Sequence, residues 1–223
     1  MNVIKGLVIK DFQTIKSYKG TALFMLVIFV GSSFLNNNIT NFLPIFMPLY
    51  FGMLAISSFS YDNLAKADKY ILTFPINKKD VVRARYIYIL LVTLVGSLLG
   101  YILTILVQCI KLGNILDIGA IVNNLAVIIG SLLGIMFLQS FQIPIMYKFG
   151  AEKGRIIQMI MVVGLMLGIS IITTVLMKIF GISLDTLIAI LKNYLIVIIG
   201  AAVVLLYISS YITSCKIYEK KEI

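Results

Sequence analysis

The sequence predicts an all-α membrane protein of six transmembrane helices with both termini cytoplasmic. Three observations carry this expectation. First, 61% of the 223 residues are hydrophobic, only 13% are charged, and the mean hydropathy is +1.05. A soluble domain is about half apolar and about a quarter charged, so no single soluble core could bury this chain. Second, six stretches approach the roughly 20 apolar residues that a bilayer crossing needs. Third, the cationic residues collect in alternate connecting segments. The whole of 1–223 reads as one transmembrane domain.

Residues 1–20 come before the first span. At helical spacing Ile4, Leu7, Val8, Phe12 and Ile15 share one face, opposite Asn2, Lys5, Gln13 and Lys16. That pattern reads as an amphipathic helix in the inner-leaflet interface, its lysines toward anionic membrane lipid, with Gly20 as the place to turn. A basic extension of the first span is the alternative. Lys10 flanks the stripe, and Asp11 falls on the apolar side as an imperfection.

The spans are Thr21–Leu35, Phe42–Ser60, Tyr86–Ile110, Ile121–Ile145, Ile156–Met177 and Asn193–Thr213. The first is short and borrows from its flanks; no small-residue cleavage site follows it, so it reads as a span rather than a signal peptide. The second carries Pro44 and Pro48 near its start, where a missing N–H is tolerated.

All but three of the 19 Lys+Arg lie in four segments. These are the N-terminal segment (Lys5, Lys10, Lys16, Lys19), 61–85 (Lys66, Lys69, Lys78, Lys79, Arg83, Arg85), 146–155 (Lys148, Lys153, Arg155) and the tail (Lys216, Lys220, Lys221). Only Lys111, Lys178 and Lys192 remain for the alternating segments. The positive-inside rule then places the four rich segments in the cytoplasm. The net charge of +10 is read as topogenic, not as a nucleic-acid surface. Cys109 and Cys215 fall on opposite faces of a core about 30 Å thick, too far apart for a disulfide, and read as free thiols.

Several chemistries are excluded. The chain has no His, which removes His-based zinc sites and Ser–His or Cys–His catalysis. No catalytic residue and no metal site is expected. No ionisable residue lies in the middle of a span, so the coupling groups of ion-driven carriers are missing. The chain also has no Gly-x-x-x-x-Gly-Lys-Ser/Thr loop to cradle nucleotide phosphates. Energy for transport would have to come from another protein.

Polar residues at membrane depth are candidates to line a cavity: Ser97, Ser131, Gln139, Gln142 and Ser170. Three small-residue pairs, Gly96–Gly100, Gly130–Gly134 and Gly164–Gly168, allow close helix approach. Packing within the chain is the first reading of them, a seam with a second subunit the other.

Residues 61–86, YDNLAKADKYILTFPINKKDVVRARY, mix aromatic and aliphatic groups with charges. Tyr61–Tyr70 can form a short helix, Pro75 stops the apolar run before it, and Asn77 can cap a helix with Asp80 in the capping-box position. That helix runs from Lys78 into the third span. Asp62, Leu64, Lys66, Lys69, Tyr70, Leu72, Phe74, Pro75, Arg83 and Arg85 are the candidate protein-docking residues; a solvated basic loop is the bland alternative. Residues 178–192 are apolar but too short to cross, and fit either a re-entrant external segment or a surface helix capped by Ser183.

Tyr70 through Tyr86 resembles the loop after the second helix in the small six-span bacterial membrane subunits of ABC-2-type ABC transporters. Phe74 stands where leucine is commoner and Asn77 where serine or threonine is commoner. The layout of the whole chain is similar too. The resemblance implies a multi-pass permease of the bacterial cytoplasmic membrane, paired with a second permease subunit as homo- or heterodimer. It further implies separate cytoplasmic ABC ATPase subunits that hold ATP and Mg, dock on Tyr61–Arg85, and usually drive export. This chain itself would bind no cofactor and would not be an enzyme. A peptide, antimicrobial or lipid-like cargo fits the expected cavity. Two other classes stay open: the substrate-binding membrane subunit of a vitamin importer, and a non-transporting bacteriocin-immunity or assembly protein.

Overall fold

The structure, a computed structural model, describes residues 3–35, 39–65, 67–71, 73, 76–112, 118–180 and 184–220. Every regular element among them is helical: α1 (Val3–Lys16), α2 (Lys19–Leu35), α3 (Ile39–Leu64), α4 (Ala67–Ile71), α5 (Lys78–Leu112), α6 (Ile118–Phe180) and α7 (Leu184–Glu219). Four helices are long and apolar enough to cross a membrane among the described residues: Phe42–Leu64, Lys78–Lys111, Ile121–Gly154 and Ile198–Glu219. The bent pair α1 and α2 makes up to a fifth. Residues Ile156–Met177 are helical, as the second limb of α6.

The α1 and α2 axes meet at 65°, so α1 is not a straight extension of α2. α6 breaks at Gly150, where φ is +80°. The chain doubles back there. A Cβ on Gly154 would lie 3.4 Å from the Met146 Cα, whereas eight residues of straight helix span about 12 Å.

Three sequence expectations are corrected. The second span does not end at Ser60: α3 continues to Leu64, because Asp62 on its extra turn is drawn onto cations of α1 and α5. The short helix of the following loop is Ala67–Ile71, not Tyr61–Tyr70. Residues 184–192 are neither a re-entrant segment nor a separate surface helix but the beginning of α7, which runs unbroken to Glu219. α5 starts at Lys78 as expected; the Asn77 carbonyl accepts the Asp80 N–H at 2.9 Å.

α3 packs most extensively along α5 and then on α6, α6 packs on α7, and α1 crosses α5 and α3. Gly96 and Gly100 make the α3–α5 contact close. A Cβ on Gly96 would sit 2.5 Å from the Phe51 Cβ, and one on Gly100 3.1 Å from the Leu43 carbonyl. This pair therefore packs within the chain. Gly130, Gly134, Gly164 and Gly168 have open space around them. Proline shapes the α3–α6 contact: Pro48 has no N–H to give the Pro44 carbonyl, and the Ser131 hydroxyl of α6 lies 2.8 Å from that oxygen. Leu23, Phe24 and Val27 on α2 are exposed, as expected of side chains that face lipid.

Candidate functional site

The four cation-rich segments meet at one end of the bundle. Lys10 of α1, Asp62 of α3, Arg85 of α5 and Tyr147 of α6 are neighbours there, and Tyr218 of α7 stacks edge-on against Tyr147 at 5.3 Å.

The centre of that end is a charge quartet, with Arg85, Asp11 and Asp62 largely buried and Lys10 half-exposed at its edge. Lys10 Nζ donates to both Asp62 oxygens, at 3.0 and 2.9 Å, and lies 3.2 Å from Asp11 Oδ1. Arg85 Nε is 3.4 Å from Asp11 Oδ2, Nη2 donates to Asp62, and Nη1 donates to the Ser58 hydroxyl at 2.6 Å. The guanidinium also stacks 4.7 Å over the Phe59 ring. Two cations face two anions, so the cluster is neutral, and it ties α1, α3 and α5 together. Such a bridge needs the planar fork of arginine, which can engage two carboxylates and a hydroxyl at once. Burial raises the Asp11 carboxyl above the ordinary aspartate value, against the opposing pull of Arg85 and Lys10.

A second set of contacts binds α5 to α7. The Tyr86 hydroxyl lies 2.7 Å from Ser210 Oγ and 2.8 Å from Ser214 Oγ, and the Tyr207 hydroxyl donates to the Tyr86 carbonyl at 3.3 Å. Lys79 pairs with Glu219 at 3.4 Å.

The candidate docking residues divide into two groups. Leu64 and Tyr70 are 80% and 69% exposed, and Arg83 is exposed as well. Asp62 and Arg85 point inward: Arg85 is only 5% exposed, so both act inside the chain. Lys66, Leu72, Phe74 and Pro75 lie outside the described residues, as does the side chain of Lys69. Sequence reasoning missed Asp11 and Lys10. The available signal was an acidic residue on the apolar stripe of an amphipathic helix, which needs a buried cation to offset its desolvation.

The candidate cavity residues do not gather in one place. Gln142 lines a 240 Å³ cavity with Tyr18, Met53, Ser57, Ser60 and Met146. Gln139 donates to Thr93 across the α5–α6 contact at 2.9 Å. Ser131 holds the Pro44 carbonyl, Ser97 bonds to its own helix, and Ser170 is exposed. An apolar groove of 480 Å³ runs along Gly130 and Gly134 between α6 and Ile199 and Val203 of α7.

The family model described as ABC-2 family transporter protein matches residues 6–219. No curated protein and no solved structure matches the chain.

Proposed function

The chain belongs to the ABC-2 family of transporter proteins and is a permease subunit of an ABC transporter, and from that premise we propose that it forms the membrane path of an ATP-driven exporter. In this reading six spans cross the bacterial cytoplasmic membrane with both termini inside. A second permease subunit completes the path, and separate cytoplasmic ATPase subunits hold ATP and Mg. The cargo is hydrophobic or amphipathic: a peptide, an antimicrobial or a lipid-like molecule.

One observation supports the reading most directly. Leu64, at the end of α3, and Tyr70, on α4, are exposed at the cation-rich end of the bundle, where α3 is tied by Asp62 to α1 and α5. Exposed apolar groups on a braced support suit a contact that must transmit force. Burying each such side chain against an ATPase is worth about 1.5–3 kcal/mol, while the nearby cations steer association.

The test is biochemical. The purified chain alone is expected to hydrolyse no ATP, and the complex with its ATPase subunit is expected to do so. Replacing Leu64 and Tyr70 with Ala should release the ATPase or uncouple hydrolysis from export, with membrane insertion unchanged. Nucleotide hydrolysis by the isolated chain, or a double variant that binds and exports normally, would refute the reading.

A further inference from the structure

Resting on the permease reading above, we propose that the cavity beside the α1–α2 elbow is a cargo subsite. It takes the uncharged polar end of an amphipathic molecule, an amide or a hydroxyl, and Gln142 is its specificity-determining residue. The cavity holds 240 Å³ and has walls on three segments: Tyr18 from the elbow, Met53 to Ser60 from α3, and Gln142 and Met146 from α6. Its α3 wall covers about 10 Å of helix and ends two residues short of Asp62, at the cation-rich end. In the orientation of the permease reading, that is the inner half of the membrane, where an exported molecule first meets the protein. Met53 is 56% exposed, so the cavity is reached past its side chain, whereas Gln142 and Met146 are buried at its back. Tyr18 is held edge-on against Tyr61 at 5.4 Å, where α1 and α2 meet at 65°.

The chemistry of the walls selects the occupant. None of the described residues that line the cavity is charged, and Asp62, the acid of α3, is engaged in the quartet. A carboxylate or ammonium placed here would lose its hydration without gaining a counter-ion. An amide or hydroxyl loses far less, provided that it is hydrogen-bonded. The walls can supply those bonds. The Gln142 side chain has two N–H donors and an acceptor oxygen. The Ser57 hydroxyl already donates to the Leu54 carbonyl at 2.6 Å, so what it offers a ligand is its oxygen as acceptor. Met53 and Met146 are flexible thioethers that adapt to varied shapes. The site therefore discriminates by charge more than by outline. At 240 Å³ it falls below the roughly 300–1,000 Å³ of sites that enclose a drug-sized molecule, so it takes one end of the cargo.

The experiment irradiates the complex of chain and ATPase, in liposomes, with N-acetyl-4-benzoylphenylalaninamide. This uncharged photoreactive amide has an excited ketone that reacts readily with methionine, and labelled residues are mapped by mass spectrometry. Met53 or Met146 is expected to carry the label, and the free carboxylate of the same compound should label them about tenfold less. Gln142→Leu should lower labelling by the amide about tenfold, the effect of one hydrogen bond, and leave labelling by plain benzophenone unchanged. Met53→Trp, a substitution at an exposed position, should fill the cavity and remove the label from Met146 without lowering the melting temperature. Labelling should also fall severalfold while the complex hydrolyses ATP, because a cargo site empties during turnover and a static one does not. Equal labelling by amide and carboxylate, a Met146 label indifferent to both substitutions, or a label indifferent to turnover would overturn the subsite. The ATPase rate of the same liposomes separates the two failures. Hydrolysis with failed labelling sinks the subsite alone, and a complex that hydrolyses no ATP sinks the permease reading and the subsite with it.

Discussion

Arg85→Met should unfasten α1 from the bundle. The side chains of Arg85, Asp11 and Asp62 are 6%, 4% and 13% exposed, so solvent screens them little. At an effective dielectric of about 20, unit charges 3.4 Å apart interact with roughly 5 kcal/mol, most of it offset by the cost of desolvation. The loss on removing one partner is larger than the net worth of the pair, because Asp11 and Asp62 then share a buried site with Lys10 as their cation. Breaking such a pair typically costs about 3–5 kcal/mol, and a chain of this size loses about 2–4 °C of melting temperature per kcal/mol. The melting temperature should therefore fall by roughly 6–20 °C. Cys215 is 8% exposed and supplies a natural reporter: in a Cys109→Ser background, a thiol-reactive fluorophore follows unfolding through it. Adding Asp62→Asn to Arg85→Met restores charge balance and should recover much of the loss. An Arg85→Met protein that melts like its parent, or a double variant no better than the single, would refute the account of the quartet as a buried clamp.

Three further outcomes are expected. Gly96→Ala should destabilise by about 1–3 kcal/mol through overpacking against Phe51, whereas Gly134→Ala, with open space around it, should leave the melting temperature of the detergent-solubilised single chain unchanged; equal effects at both positions would contradict the packing described. Ser131→Ala, which strips the Pro44 carbonyl of its donor, should cost about 1–3 kcal/mol in the same melting assay, and no change would mean that water replaces the hydroxyl. Single cysteines in a chain lacking Cys109 and Cys215 should be labelled from outside intact cells at residue 37 but not at 77 or 153; labelling at 77 would overturn the orientation.

The helices were largely legible because hydropathy and charge act locally along the chain. The start of α5 at Lys78 and the separateness of α1 both follow from neighbouring residues. Partnership was less legible. The pattern of α1 shows which face is apolar but not that Asp11 on that face meets Arg85, which lies 74 positions further on. Arg85 itself sits in a segment so rich in cations that composition alone gives it no distinction from Arg83, yet one points inward and the other outward. The glycine pairs look alike in sequence, but among the described residues a Cβ would meet a neighbouring helix within 4 Å at Gly96 and Gly100 and not at the other two pairs. The polar residues scatter for a related reason: in an apolar surrounding, a hydroxyl or amide first satisfies a nearby backbone carbonyl, as Ser131 does, within 2.8 Å of the Pro44 carbonyl and 2.9 Å of that of Ile128 in its own helix.

The first turns of α5 limit how that helix can move. Arg85 is fastened to α1 and α3, Tyr88 meets the Phe12 ring edge-on at 5.3 Å, and Tyr86, between them in sequence, is fastened to α7. A rod held on two sides within one turn has lost the freedom to spin about its own axis and keeps only the freedom to tilt. At about 1.5 Å per residue, the 35 residues of α5 extend for roughly 50 Å. About 24 residues, roughly 36 Å, lie beyond Tyr88, so a tilt of about five degrees there displaces the far end of α5, near Gln108, by roughly 3 Å.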